Sequence, residues 1–170
     1  ILPGYAAGQE AELRATCLWV AAEVPVCIIS CDVLALGRDL LDRAAATIAE
    51  SCEIPFDNIL ICATHTHHAP STFTVHGYPR DEGFCDGVVA AIVSAAQSAC
   101  AALAESAGRP NDCEGELLFA MGQEATVGEN SRWLMRDGQI TWYGYDPAEM
   151  VRPTGPHDPD LPILAIGRPG

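Results

Sequence analysis

The order of its apolar segments predicts an α/β fold for this chain: a mixed, largely parallel sheet with flanking helices. Three observations carry that expectation. Val24 to Ser30 is almost wholly apolar, as a strand covered on both faces is. Leu36 to Glu50 places Leu36, Leu40, Leu41, Ala44, Ala45 and Ile48 at helical spacing, with Arg38, Asp39, Asp42 and Arg43 on the polar side. Ile59 to Ala63 is a second short apolar run, entered through a turn at Pro55 and Asp57-Asn58. A strand–helix–strand unit of this length suits a right-handed crossover between parallel strands.

The other elements follow in order. Arg14 to Val20 is β-rich and precedes the first apolar strand by Ala21-Ala22-Glu23, so the two runs read as a hairpin or successive strands. Thr64 to Gly83 is rich in Pro, Gly, Ser and Thr and reads as loop. A long helix is expected over about Asp86 to Glu105, ended by Gly108 and Pro110. Glu116 to Ala120 and Ile140 to Tyr145 read as strands, with a turn at Asp137-Gly138 between them. Arg152 to Pro162 contains four prolines and reads as an extended surface crossing, and Leu161 to Ile166 begins a last strand.

Composition narrows the function. The 170 residues suit one domain with a real core. Net charge is −14, which repels phosphate backbones, so no nucleic-acid partner is expected. All nine basic residues are Arg, and the lack of Lys excludes Schiff-base and phosphate-loop lysine chemistry within this sequence. No transmembrane segment is expected, because the longest apolar stretch, Val88 to Leu103, is broken by Ser94, Gln97 and Ser98. The chain starts at Ile1 without a basic-then-apolar signal segment, so a processed or truncated start is expected. Eight cysteines include no C-x-x-C pair. Cys17, Cys27, Cys31, Cys62 and Cys100 lie in apolar segments, which favours free thiols packed as small hydrophobes and a reducing compartment.

The chemistry concentrates in Thr64-His65-Thr66-His67-His68, directly after the second apolar strand. In open α/β sheets the ligand crevice lies beyond the carboxyl ends of the strands. Asp32 ends the other strand of the crossover, so it is expected near His65. On extended backbone the i and i+2 side chains of His65 and His67 point the same way, and that of His68 points oppositely. His65 and His67 can share one divalent metal, or one can bind metal while the other contacts substrate. Asp32 and His68 are further candidate donors. Imidazole ligands suit zinc. Thr64 and Thr66 are candidates to hold the rings from behind. The chain has no G-x-S-x-G elbow, H-E-x-x-H helix or G-x-G-x-x-G loop.

Two families share this signal. Ile59 to His67 resembles the start of the metallo-β-lactamase site, but the continuation to Asp-His is replaced by Ala69-Pro70. The fuller resemblance, from about Arg14 onward, is to the N-terminal domain of neutral, non-lysosomal ceramidases and their bacterial relatives. It rests on a strand ending in Asp32, a helix, and a strand leading into Thr64-His65-Thr66-His67-His68-Ala69-Pro70, which departs from the family pattern at His68 and Ala69. The Ala-rich helix, Asn130-Ser131-Arg132-Trp133 and Asp158-Pro159-Asp160-Leu161-Pro162 extend it. The resemblance implies a zinc-dependent amidohydrolase acting on a small-molecule or lipid amide, such as a sphingolipid. It implies that His65 is a zinc ligand, that His67 lies near the scissile amide, and that Arg132 contacts substrate or oxyanion. It further implies that residues 1–170 are the N-terminal part of an incomplete catalytic domain. The remaining zinc ligands, a second His, a Glu and a Tyr, are then expected beyond Gly170. The alternatives are a metallo-β-lactamase-like hydrolase and an inactive metal-binding fragment.

Overall fold

A computed structural model describes residues 8–106 and 116–167. The chain divides into two compact units, Ile1–Arg109 and Pro110–Gly170. The first unit holds strands β1 (Ala15–Val20), β2 (Val26–Cys31) and β3 (Ile59–Ala63), and helices α1 (Arg38–Ser51) and α2 (Glu82–Ser106). The second holds β4 (Glu116–Gln123), β5 (Trp133–Met135), β6 (Ile140–Thr141), β7 (Met150–Pro153) and β8 (Asp160–Gly167). The expected end of the long helix at Gly108 and Pro110 lies outside the described residues.

In the first unit β1 and β2 form an antiparallel pair, and β2 runs parallel to β3 with α1 as the crossover between them. Strand pleating explains the core. Cys27, Ile29 and Cys31 point inward from β2 and are at most 2% exposed, with Cys17, Trp19, Ile59, Ile61 and Ala63 beside them. Leu40, Ala44 and Ile48 from α1 and Cys85, Val89, Ile92 and Ala96 from α2 form helical stripes that pack into the same cluster. Both helices therefore cover one face. Leu18 and Leu60, on the other face, are 38% and 56% exposed. The expectation of a strand covered on both faces is thus corrected for β2, whose residues alternate between fully buried and partly open.

The expectation of a largely parallel sheet is also corrected. Among the described residues only β2 and β3 pair in parallel. The pairs β1–β2, β4–β8, β5–β6 and β5–β7 are antiparallel. A parallel pair needs a crossover of a dozen or more residues, and α1 is the one described helix that returns the chain to the sheet it left. In the second unit the connections are turns or the long return from β4 to β8. The Asp137-Gly138 turn joins β5 to β6: Gly138 takes φ +83°, and its N–H donates to the Met135 carbonyl at 3.0 Å. The strand expected over Ile140 to Tyr145 shrinks to β6, and the extended crossing at Arg152 to Pro162 instead overlaps β7 and the start of β8.

Local chemistry sets the helix ends. α2 starts at Glu82, before the expected Asp86, because Asp81 caps it: the Asp81 carboxylate accepts from the Phe84 N–H at 2.8 Å. Gly83 and Gly87 weaken the helical signal there without ending the helix. By length and composition α2 also reaches the apolar character of a membrane span, which the sequence expectation missed. Its Cys85, Val89, Ile92 and Ala96 are nevertheless packed in the core of the first unit. α1 ends in a hydrogen-bonded reversal, in which the Ile54 N–H donates to the Ala49 carbonyl at 3.3 Å and buried Ile54 folds back over the core. That reversal places Glu53 at φ +52°, where a side chain is crowded. Replacing Glu53 with Gly is therefore expected to raise stability by about 0.5–1 kcal/mol, read as a higher urea midpoint at constant m-value.

The described cysteines are all free thiols, as the apolar setting of Cys17, Cys27, Cys31 and Cys100 suggested. Cys62 departs from that setting: it is exposed, with its thiol donating to the Ile29 carbonyl at 3.3 Å. The Cys17 and Cys27 sulfurs lie 3.6 Å apart. Burial pushes the Cys27 thiol up to about 12 from an ordinary value of 9.0, and the neighbouring Cys17 adds to the shift. Burial likewise takes Cys31 to about 11. A group whose folded pKa is raised supports the fold fully below its unfolded pKa, and that support is lost as pH rises through the folded value. Stability should therefore fall between about pH 9 and 12, and a Cys27→Ala variant should show a shallower fall across the same window in alkaline urea titrations.

Candidate metal centre

The site is assembled by strand register. Cys31 of β2 lies opposite Ala63 of β3, so the next residues of each strand, Asp32 and Thr64, leave the sheet side by side. The Thr64 hydroxyl donates to one Asp32 carboxylate oxygen at 3.3 Å. The backbone N–H of Arg14, just ahead of β1, donates to the other at 3.0 Å. The Asp32 N–H returns a bond to the Arg14 carbonyl at 2.9 Å, and the Thr64 N–H donates to the Cys31 carbonyl at 2.9 Å. Asp32 thus ties the ends of three strands together on one rim, the rim that carries the histidines.

His65 follows at once, and here the expectation of extended backbone fails. β3 ends at Ala63, and His65 takes φ +63°. Non-glycine residues adopt that left-handed geometry at a cost of about 1–2 kcal/mol. The kink turns the His65 ring back toward the segment after β2, where its Nδ1 lies 2.8 Å from the Leu34 carbonyl oxygen. A carbonyl only accepts, so Nδ1 is the donor in this contact, and in the neutral ring the lone pair is on Nε2. The His67 ring stands edge-on to it, with centroids 5.1 Å apart. His65, His67 and His68 are all exposed. The rings of His65 and His67 do meet, but a left-handed kink brings them together rather than the alternation of a strand.

The threonines do other work than expected. The Thr64 hydroxyl goes to Asp32, and the Thr66 hydroxyl accepts from the His68 N–H at 3.3 Å, so neither holds a ring. The residues that the sequence reading missed are Leu34, whose carbonyl holds His65, and Thr72. Thr72 is fully buried, and its hydroxyl donates to the Ala35 carbonyl, next to Leu34. A backbone carbonyl leaves no signature in a sequence, and a threonine in a polar loop gives no sign of being buried.

Further contacts fix the end of the loop. The Asp81 N–H donates to the Ser71 carbonyl at 3.0 Å. Arg80 pairs with Asp39 at 2.7 Å and Glu82 at 3.1 Å, and the Arg80 guanidinium holds the Asp39 carboxyl below its ordinary value.

A cavity of about 310 Å³ opens on the same rim between the start of β1, the end of β2 and the first turns of α2. Leu13, Val33, Phe84 and Val88 give it apolar walls, and Asp32 joins it to the histidine loop. Gly87 lines it, and a β-carbon there would meet nothing within 4 Å.

Arg132 belongs to the second unit. It is exposed; its N–H donates to the Asn130 side chain at 3.0 Å, and its carbonyl accepts from the Thr154 N–H at 2.9 Å. Asn130 also donates to the Pro156 carbonyl at 3.0 Å, so the Asn-Ser-Arg element has a local structural role. Among the described residues no three His, Cys, Asp or Glu side chains converge as a metal site. His65 and His67 are two candidate donors, fewer than the three protein ligands of a usual catalytic zinc site.

Comparison with models of known families, with characterised proteins and with solved structures finds no match for this chain.

The staple at Asp32 yields a direct test. Asp32→Ala removes the acceptor for two donors from neighbouring chain segments, and a loss of about 1–3 kcal/mol in urea unfolding is expected. Asp32→Asn keeps an acceptor oxygen and should lose less.

Proposed function

We propose that this chain supplies part of the active site of a zinc-dependent hydrolase of the neutral ceramidase type, cleaving an N-acyl amide bond in a small-molecule or lipid substrate. One observation carries the reading: the Leu34 carbonyl oxygen lies 2.8 Å from His65 Nδ1, which makes Nδ1 the donor and leaves Nε2 available in the neutral ring, with the His67 ring beside it. Ligating histidines are typically oriented in this way by an acceptor on their other nitrogen. The Thr-His-Thr-His-x-x-Pro sequence supports the same family. The apolar cavity with a carboxylate at its edge suits a substrate whose amide joins an apolar group.

In this reading zinc, when bound, polarises the amide carbonyl and lowers the pKa of a water. His65 would hold the metal, with Nε2 of the neutral ring as its available donor. His67 lies beside the scissile amide, where a ring nitrogen can pass a proton to the leaving amine or donate a hydrogen bond to the developing oxyanion. Arg132 remains a candidate oxyanion or substrate contact through the family resemblance alone.

A second reading, a metal-binding fragment without hydrolytic activity, is favoured by the lack of three converging donors among the described residues. Catalytic zinc usually has three protein ligands and an open position. Zinc binding to this chain should accordingly be weak, and His65→Ala should abolish it in a competition titration against a chromophoric chelator. His67→Ala should keep the zinc and lower the hydrolysis of N-acyl amide substrates. Full zinc retention by His65→Ala would sink the metal reading. Zinc binding without turnover of any N-acyl amide would select the second one.

A further inference from the structure

We infer that Thr72 is a positioning residue for the histidine site, acting through the Leu34-Ala35 segment; its bearing on metal rests on the zinc reading above. The evidence is a pair of hydrogen bonds to adjacent carbonyls. The His65 ring donates to the Leu34 oxygen at 2.8 Å, and the Thr72 hydroxyl donates to the Ala35 oxygen at 2.5 Å. The loop from His65 to Thr72 therefore leaves this dipeptide at one end and returns to it at the other.

The dipeptide is itself a connection, lying between the end of β2 and the start of α1. Among the described residues no backbone hydrogen bond from Leu34 or Ala35 fixes how the Leu34 carbonyl is aimed. Thr72 does so from the buried side. It is the one buried polar residue among the described residues, at 0% exposure. Its own carbonyl accepts from the buried Cys85 thiol at 3.7 Å, which ties it to α2. The adjacent Ser71 accepts from the Asp81 N–H and donates from its hydroxyl to the Phe73 carbonyl at 2.6 Å. Thr72 is thus anchored to the core, while His65 is exposed and carries a strained backbone. Orientation passes from the buried partner to the exposed one, from Thr72 through the Ala35 and Leu34 peptide planes to the His65 ring. A buried hydroxyl placed this way is costly unless its bond is made. The bond is made here, and it fixes the carbonyl adjacent to the one that accepts from His65.

The test uses this chain with zinc alone as the probe, and three variants of Thr72. Thr72→Val keeps shape and removes the hydroxyl. Thr72→Ser keeps the hydroxyl. Thr72→Ala removes the hydroxyl without a branched side chain and serves if the Val variant does not fold. Two readouts are taken on protein shown to be folded by circular dichroism. One is zinc affinity by chelator competition. The other is the His65 tautomer in metal-free protein, from two-dimensional nitrogen NMR of the imidazole ring. Wild type should show His65 protonated on Nδ1. Thr72→Val, or Thr72→Ala in its place, should show mixed tautomers and a loss of zinc affinity of about tenfold or more. Thr72→Ser should restore the single tautomer and most of the affinity. A folded hydroxyl-free variant with the wild-type tautomer overturns the proposal, and leaves the zinc reading standing if zinc still binds through His65. Wild type that binds no zinc through His65, yet loses its tautomer on removal of the Thr72 hydroxyl, overturns the zinc reading and upholds the positioning role.

Discussion

The parallel register of β2 against β3 is the constraint on which the rest of the first unit depends. With Cys31 opposite Ala63, the two strands end level, and the residues that follow them meet on one rim. A shift of one residue would exchange the inward Cys27, Ile29 and Cys31 for their less buried neighbours. It would also separate Asp32 from Thr64. Burial therefore fixes the register, and the register in turn sets the position of the histidine loop. The core and the candidate site are two consequences of one pairing.

Beyond the strand ends, order comes from hydrogen bonds to a few carbonyls rather than from regular structure. The loop between β3 and α2 contains only one isolated bridge, Val75 with Tyr78, and a turn in which His76 and Gly77 both have positive φ. It is nonetheless tied down along its length, by His65 to Leu34, Thr72 to Ala35, and Arg80 to Asp39. The strained backbone at His65 fits this pattern. Left-handed geometry at a non-glycine residue persists when the surroundings hold it, and such positions are concentrated at functional sites. Here the ring-to-carbonyl bond offsets the strain.

The two units solve the burial problem differently. The first packs two helices on one sheet face and buries cysteines as neutral thiols. The raised Cys27 and Cys31 pKa values express that burial, and metal or redox chemistry at those sulfurs would first have to overcome it. The second unit is built of strands, two of eight residues and three of two to four, with no helix longer than a single turn among its described residues. Its β4–β8 ribbon exposes apolar side chains: Phe119 and Ile166 are 67% and 63% exposed.

Most of the first unit was legible in the sequence because its signals are local. Apolar and β-rich runs with the turn residues between them located β1, β2 and β3, and helical spacing located α1 and most of α2. The same signals placed Asp32 and the histidines at neighbouring strand ends, since a crossover between parallel strands permits little else. The β5 and β7 strands and the β4–β8 partnership were not legible, because pairings between distant short segments depend on contacts that no local pattern records. The sequence by itself determined which residue types the candidate site offers and which strand ends carry them. Only the tertiary structure decided how they are held: the kink at His65, the Leu34 carbonyl behind its ring and the buried Thr72 hydroxyl. Those depend on where backbone carbonyls point, and that is fixed by packing rather than by the identity of the residue that bears them.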